Sequence, residues 1–160
     1  MTGPIYRFLA DDHARLEGLL RKATAVAGAI DAGAYAEFRI GLLKHIAMEE
    51  KILLAAAQQA RGGEPLPEAA KLRLDHGAIA TLLVPNPTPA VVAAIRKVLA
   101  VHNPVEEGPG GVYEACDLLL RDRVDEILAR LRSAPEVAVN PHVDGPHVTE
   151  AINRALARAG

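Results

Sequence analysis

Apolar residues along the chain fall into seams with steps of three and four, the spacing that lines side chains along one face of an α-helix. Leu9, His13, Leu16 and Leu20 share such a seam, as do Phe38, Leu42, His45, Glu49, Ile52 and Ala56. Ala69, Leu72, His76, Ile79 and Leu83 form a third, and Val91 or Val92, Ile95, Leu99, His102 and Glu106 a fourth. Each seam carries one histidine where an aliphatic residue is expected. Two of them repeat the pairing His-x-x-x-Glu.

Turn chemistry sets the limits of the predicted helices. Thr2 as cap and Pro4 in the opening turn predict a first helix reaching about Ala27. Asp31 is placed to cap a second, from Ala32 to Ala60, which Gly62 closes in the left-handed conformation. Pro65 and Pro67 open a third helix that reaches about Val84, and Thr88-Pro89 opens the fourth. Pro104 and the stretch GPGG at 108–111 predict a kink and an interruption in that fourth segment. Beyond the break a helical stretch is expected from Val112 to about Arg132, then an irregular tail with a short amphipathic helix over Val148–Ala159.

Four amphipathic helices with short connections predict an all-α, up-down-up-down four-helix bundle over residues 1–133, with 134–160 as a C-terminal tail. Composition agrees with this class. Half of the 160 residues are hydrophobic, enough for one domain with a core, while two Phe, three Tyr and no Trp leave little for a sheet. The net charge of −2 is spread without a basic stripe, which argues against a nucleic-acid partner. The N-terminal MTGPIYRFLADDH turns acidic too early for a secretion signal, and no apolar run approaches the ~20 residues of a membrane span. The chain reads as soluble and cytoplasmic, without a membrane partner. Cys116, the single cysteine, excludes a thiolate metal cluster and reads as a small buried side chain.

The polar residues on the apolar seams carry the chemistry. Positions i and i+4 of a helix lie about 40° apart around the axis and about 6 Å apart along it. His45 with Glu49, and His102 with Glu106, therefore aim at one place in the interior. Two buried carboxylates cost several kcal/mol each unless they are paired. Imidazoles answer part of that cost, and a pair of di- or trivalent metal ions answers it more fully. His13, His45, Glu49, His76, His102 and Glu106 are the candidate ligands. The Glu-x-x-His of ferritin-like bundles is absent, since Ala10, Leu42, Arg73 and Leu99 stand three before the histidines. HExxH and clustered Cys/His zinc patterns are absent too.

The order His13, HxxxE at 45–49, His76, HxxxE at 102–106, with the doubled acids of HIAMEE and HNPVEE and the Tyr and Asp of GVYEACD, resembles the hemerythrin-like (HHE cation-binding) family over roughly residues 5–131. The resemblance implies a non-haem di-iron centre with an oxo or hydroxo bridge, in which the four histidines are terminal ligands and Glu49 and Glu106 bridge the two iron ions. Oxygen-carrying members have another histidine one turn away on the third helix. Leu72 and Ala80 stand at those positions here. Four His and two Glu resemble instead the bacterial branch linked to nitric oxide or oxygen sensing, iron-sulfur repair and stress response.

That reading predicts a protein that binds, senses or reacts with oxygen, nitric oxide or a peroxide, with di-iron redox chemistry rather than a conventional enzyme's. An iron reservoir or donor is the second reading, and a structural bundle that holds zinc or nothing the third. The same ligands also suit manganese. The partners implied are a small diatomic or peroxide ligand, an iron-acceptor protein, and a second copy of the chain in a homodimer.

Other polar residues are read as surroundings. Glu50 and Glu107 lie about 100° off the seam and are expected at the boundary. Asp12 and Asp75 precede ligand histidines, so each is either a surface salt-bridge partner, the favoured reading, or a carboxylate that orients a neighbouring imidazole. Glu17 makes a third HxxxE with His13 and is assigned to the flank. Tyr113 is expected in the core with a hydrogen-bonded hydroxyl, or pointing into the open end of the pocket. His142 and His147 are expected in solvent, and the break near Pro104 is expected to open a path for a small ligand.

Overall fold

The computed structural model describes residues 2–160, and all regular structure among them is helical. Helix α1 spans Pro4–Ala23 and α2 spans Ala32–Met48; a π-helical turn over Glu49–Leu53 joins α2 to α3, Leu54–Ala60. Helices α4 (Ala69–Leu82), α5 (Pro89–Glu107), α6 (Val112–Leu119), α7 (Val124–Arg132) and α8 (Pro146–Ala159) follow, with a 3₁₀ turn at Arg121–Arg123. No helix among the described residues is long and apolar enough to cross a membrane.

Two caps are the expected ones. Asp31 accepts from the backbone N–H of Ala34 at 2.9 Å, and Thr88 accepts from that of Val91 at 3.1 Å. The start of α1 differs. Gly3, not Thr2, stands at the cap, and Asp117 of α6 accepts from the N–H groups of Ile5 (2.9 Å) and Tyr6 (3.0 Å). A Cβ at Gly3 would collide with that carboxylate. A residue 112 positions away thus does the work of a local cap, and it ties α6 to α1.

The interior is two apolar clusters with a polar layer between them. The first contains Ile5, Leu9, Met48, Leu53, Leu72 and Tyr113; the second contains Leu16, Leu20, Phe38, Leu42, Ile79, Leu82 and Ile95. Along α1 and α4 the chain passes from the first cluster to the second, with His13 or His76 between. The order reverses along α2 and α5, where His45 and His102 occupy the crossing. The histidines therefore share one level although they lie far apart in sequence.

The second helix departs from its expected seam after Glu49. Leu53 is fully buried there and Ile52 only half-buried. The π turn supplies the reason, since one wide turn advances the inward position by one residue. The fourth helix also differs in part. It continues through Pro104 to Glu107, and the break comes only at Gly108–Gly111, where Gly110 has φ of 72°.

The segment after α7 is fastened to the rest of the fold. Val143 donates its backbone N–H to the carbonyl of Val84 at 3.1 Å, and Asp144 accepts from the N–H (2.9 Å) and side-chain amide (2.7 Å) of Asn86. Helix α8 packs Ala155 and Ala159 against Ala78 of α4. His142 is half-buried rather than solvated, beside Tyr35 and 3.2 Å from the carbonyl of Val84, whereas His147 is exposed as expected.

Candidate metal centre

All six candidate ligands converge on the polar layer. His13, His45 and Glu49 form one group of mutually close donor atoms, and His76, His102 and Glu106 form another. His45 Nε2 lies 3.1 Å from Glu49 Oε1, and His102 Nε2 lies 2.9 Å from Glu106 Oε1. Each carboxylate also approaches a histidine of the other group. Glu49 Oε1 is 3.8 Å from His76 Nε2, and Glu106 Oε1 is 3.6 Å from His13 Nε2. The two halves are thus related by an approximate two-fold exchange of α1–α2 with α4–α5.

The imidazoles are held from behind. His45 Nδ1 lies 2.8 Å from Asp12 Oδ2, His102 Nδ1 lies 3.0 Å from Asp75 Oδ2, and His13 Nδ1 lies 3.1 Å from Glu107 Oε2. A carboxylate on Nδ1 holds a proton there, so Nε2 is the inward nitrogen that would bind a cation. His76 is the exception. Its Nδ1 has no hydrogen-bond partner, and the nearest Glu50 oxygen is 3.7 Å away. Tyr113, fully buried, brings its hydroxyl to 3.1 Å from His45 Nε2, 3.2 Å from His13 Nε2 and 3.3 Å from Glu49 Oε2. No hydroxyl occupies the matching place on the His76 half among the described residues.

The protonation states follow from this crowding. Burial works against a charged His45, but Glu49 and Asp12 outweigh it and hold its pKa up to about 9. Burial likewise opposes the Glu49 carboxylate, yet the surrounding imidazoles keep its pKa below the usual value. Burial lowers His76 to about 4 against the pull of Glu49, with His102 and His45 adding repulsion. Burial, then the neighbouring His45, lowers His13 also. Burial and the nearby Glu49 raise Tyr113 well above its ordinary value, so its hydroxyl keeps its proton.

The donor set fits cations on two counts. Glu106 is 0% exposed and neither carboxylate oxygen accepts a well-aligned hydrogen bond, although Oε1 lies beside two imidazoles, so a positive ion there would offset the cost of burying the acid. Two ligands each about 2.1 Å from one metal ion lie about 3.0–3.4 Å apart at ordinary bond angles, close to the separations within each half. The space between the six groups is about 10 Å³, with Leu42, Ile46, Ile79 and Leu99 among its walls. The helical break expected at Pro104 is not found. Helix α5 runs unbroken through Pro104 to Glu107.

Asp12, Asp75 and Glu107 lie beside the apolar seams, which do not by themselves mark them as partners of the imidazoles. Adjacent helix positions differ by about 100°, so a residue beside a core ligand faces the next helix instead of the core. The signal was present as Asp-His at 12–13 and 75–76 and as doubled glutamates at 49–50 and 106–107. Both aspartates also have the expected salt bridge, Asp12 with Arg15 at 2.9 Å and Asp75 with Lys71. Glu50 stays at the boundary, and Glu17 pairs with Arg96 at 2.9 Å outside the cluster. Cys116 is buried, and burial pushes its thiol up to about 12, which leaves it unreactive.

The chain matches no protein-family model, no curated protein and no solved structure. The six residues form two His/Glu groups, side by side, each able to hold a metal ion.

Proposed function

We propose that the chain is a hemerythrin-like, up-down-up-down four-helix bundle holding a non-haem di-iron centre that binds, senses or reacts with a small ligand such as oxygen, nitric oxide or a peroxide. The observation that carries this reading is the exchange-related pair of His/His/Glu groups whose glutamates each approach a histidine of the other half. Four imidazoles and two carboxylates suit iron, and an iron pair would supply reversible electron transfer with coordination positions left for a small molecule.

The chain's own residues have separate tasks. His13, His45, His76 and His102 present Nε2 inward, and Glu49 and Glu106 lie where each can span both halves. Tyr113 keeps a proton at its hydroxyl and donates it as a hydrogen bond to Glu49 Oε2. The apolar clusters above and below exclude water.

One observation favours a donor of iron as the second reading. His76 alone lacks a hydrogen-bonded carboxylate behind its ring, so it is the least firmly held of the four histidines. Protein purified after iron-replete expression separates these readings by its absorption spectrum. Charge-transfer bands that respond to reductant and to nitric oxide are expected, and rapid loss of iron to a chelator would turn the reading toward donation. A colourless, zinc-loaded or metal-free protein would overturn both.

A further inference from the structure

We propose that Arg15 and Lys71 are positioning residues of the centre: from the surface, each holds one aspartate against Nδ1 of a ligand histidine, Arg15 through Asp12 to His45 and Lys71 through Asp75 to His102. The inference rests on the metal-centre reading for its consequence, though not for its geometry.

Both aspartates divide their oxygens in the same way. Oδ2 meets the imidazole, at 2.8 Å for Asp12 and 3.0 Å for Asp75. Oδ1 meets the cation, Arg15 Nε at 2.9 Å in one half and Lys71 Nζ in the other. The sequence spacing differs, because Arg15 follows its aspartate by three positions and Lys71 precedes its own by four. Two different local geometries therefore arrive at one arrangement, which a repeated sequence motif does not explain. The cations are about half exposed (side chains 52% and 50%), and the histidines they serve are buried (1% and 3%). Each line therefore runs from solvent to a ligand.

The Arg15 line also has space made for it. Gly41 lies within α2, where glycine costs about 1 kcal/mol relative to alanine. A Cβ there would come within 2.7 Å of Leu16 Cδ2 and 3.0 Å of Arg15 Nη2. Both lines open on clefts, of about 490 Å³ around Arg15 and Asp12 and about 440 Å³ around Lys71 and Asp75. Asp12 lines the first cleft and Asp75 the second.

Without its cation, an aspartate keeps one partner and its free oxygen turns toward the solvent, so the imidazole loses a fixed acceptor. Metal affinity should then fall. Charge alone acts in the opposite sense, since removing a screened surface cation would tighten metal binding by about twofold. The sign of the effect therefore separates positioning from simple repulsion.

The test is stepwise titration of the metal-free chain with Co²⁺, comparing wild type with Arg15→Ala, Lys71→Ala, Lys71→Arg and the control Arg21→Ala. Each alanine variant is expected to weaken one of two binding steps by about 3–10-fold, less than loss of the carboxylate itself would cost. Lys71→Arg should keep wild-type affinity, and ethylammonium should restore Lys71→Ala. In the metal-free protein, ¹⁵N signals of His102 should report a protonated Nδ1 in wild type and a mixture of tautomers in Lys71→Ala. Affinities that are unchanged or tighter, or a loss matched by Arg21→Ala, would overturn the proposal. If wild type binds no Co²⁺ while the His102 signals still respond, the metal-centre reading fails and the positioning of the ring stands. If those signals do not respond, the positioning role fails as well.

Discussion

Asp75, on α4, lies 3.0 Å from Nδ1 of His102, on α5, and Asp12, on α1, stands in the same relation to His45, on α2, at 2.8 Å. Each aspartate comes immediately before a candidate ligand of its own helix but serves the ligand of the next. Asp75→Asn keeps the shape and removes the charge that favours a proton on Nδ1. Metal affinity of one of the two positions is expected to fall about 10–100-fold, measured by competition with a chromophoric chelator, with the other position little changed.

Stability of the metal-free chain should depend on pH from both sides. His76 has its pKa lowered to about 4, below the ~6.5 of an unfolded histidine, so protonation favours unfolding as pH falls from about 6.5 toward 4. The loss is on the order of 3 kcal/mol for that group, and the lowered His13 acts in the same direction. Glu49, also lowered, contributes stability above the ordinary glutamate value of 4.5, and this is lost at more acid pH. His45 is raised to about 9, so its contribution is complete below about 6.5 and disappears as pH climbs through 9. Urea unfolding of the chelator-treated protein should show a maximum between about pH 6 and 7. A flat profile from pH 5 to 9 would contradict the protonation states given above.

Metal binding near neutral pH should release protons. His45 is protonated in the metal-free cluster and must give up that proton to act as a ligand. Calorimetric titration in buffers of different ionisation enthalpy should therefore report release of about one proton per chain at pH 7. Affinity should rise with pH until about 9, and uptake of protons would be the wrong sign.

Asp117→Ala should destabilise the fold although the residue lies outside the cluster. It removes the acceptor for the first N–H groups of α1, and loss of such a cap costs about 1–2 kcal/mol. Thr2→Ala, by contrast, should leave the melting temperature unchanged, because Thr2 makes no capping bond.

The difference between Thr2 and Asp117 shows where sequence reading stops. Helix identity and the four histidines were legible because apolar periodicity is a local property, and a polar residue on an apolar seam stands out against it. The π turn was not legible. Ile52 and Leu53 are chemically alike, so nothing marks which one faces inward after Glu49. Nor was the approach of Asp12 to His45 or Glu107 to His13, since each depends on which helices become neighbours. The aspartates and doubled glutamates repeated in step with the ligands, and that repetition was the available clue. The continuation of α5 through Pro104 had no sequence signal, because a proline near a helix end admits both outcomes.

Metal content per chain, compared between wild type, Glu106→Ala, His45→Ala and Glu17→Ala, tests the central claim most directly. Glu106 has two buried oxygens without a well-aligned hydrogen bond and His45 lies at the core of the other group, whereas Glu17 pairs with Arg96 outside it. Elemental analysis after iron-replete expression is expected to find two iron ions in wild type and in Glu17→Ala, and a marked loss in the other two variants. Equal metal in all four proteins, or none in wild type, would contradict the account.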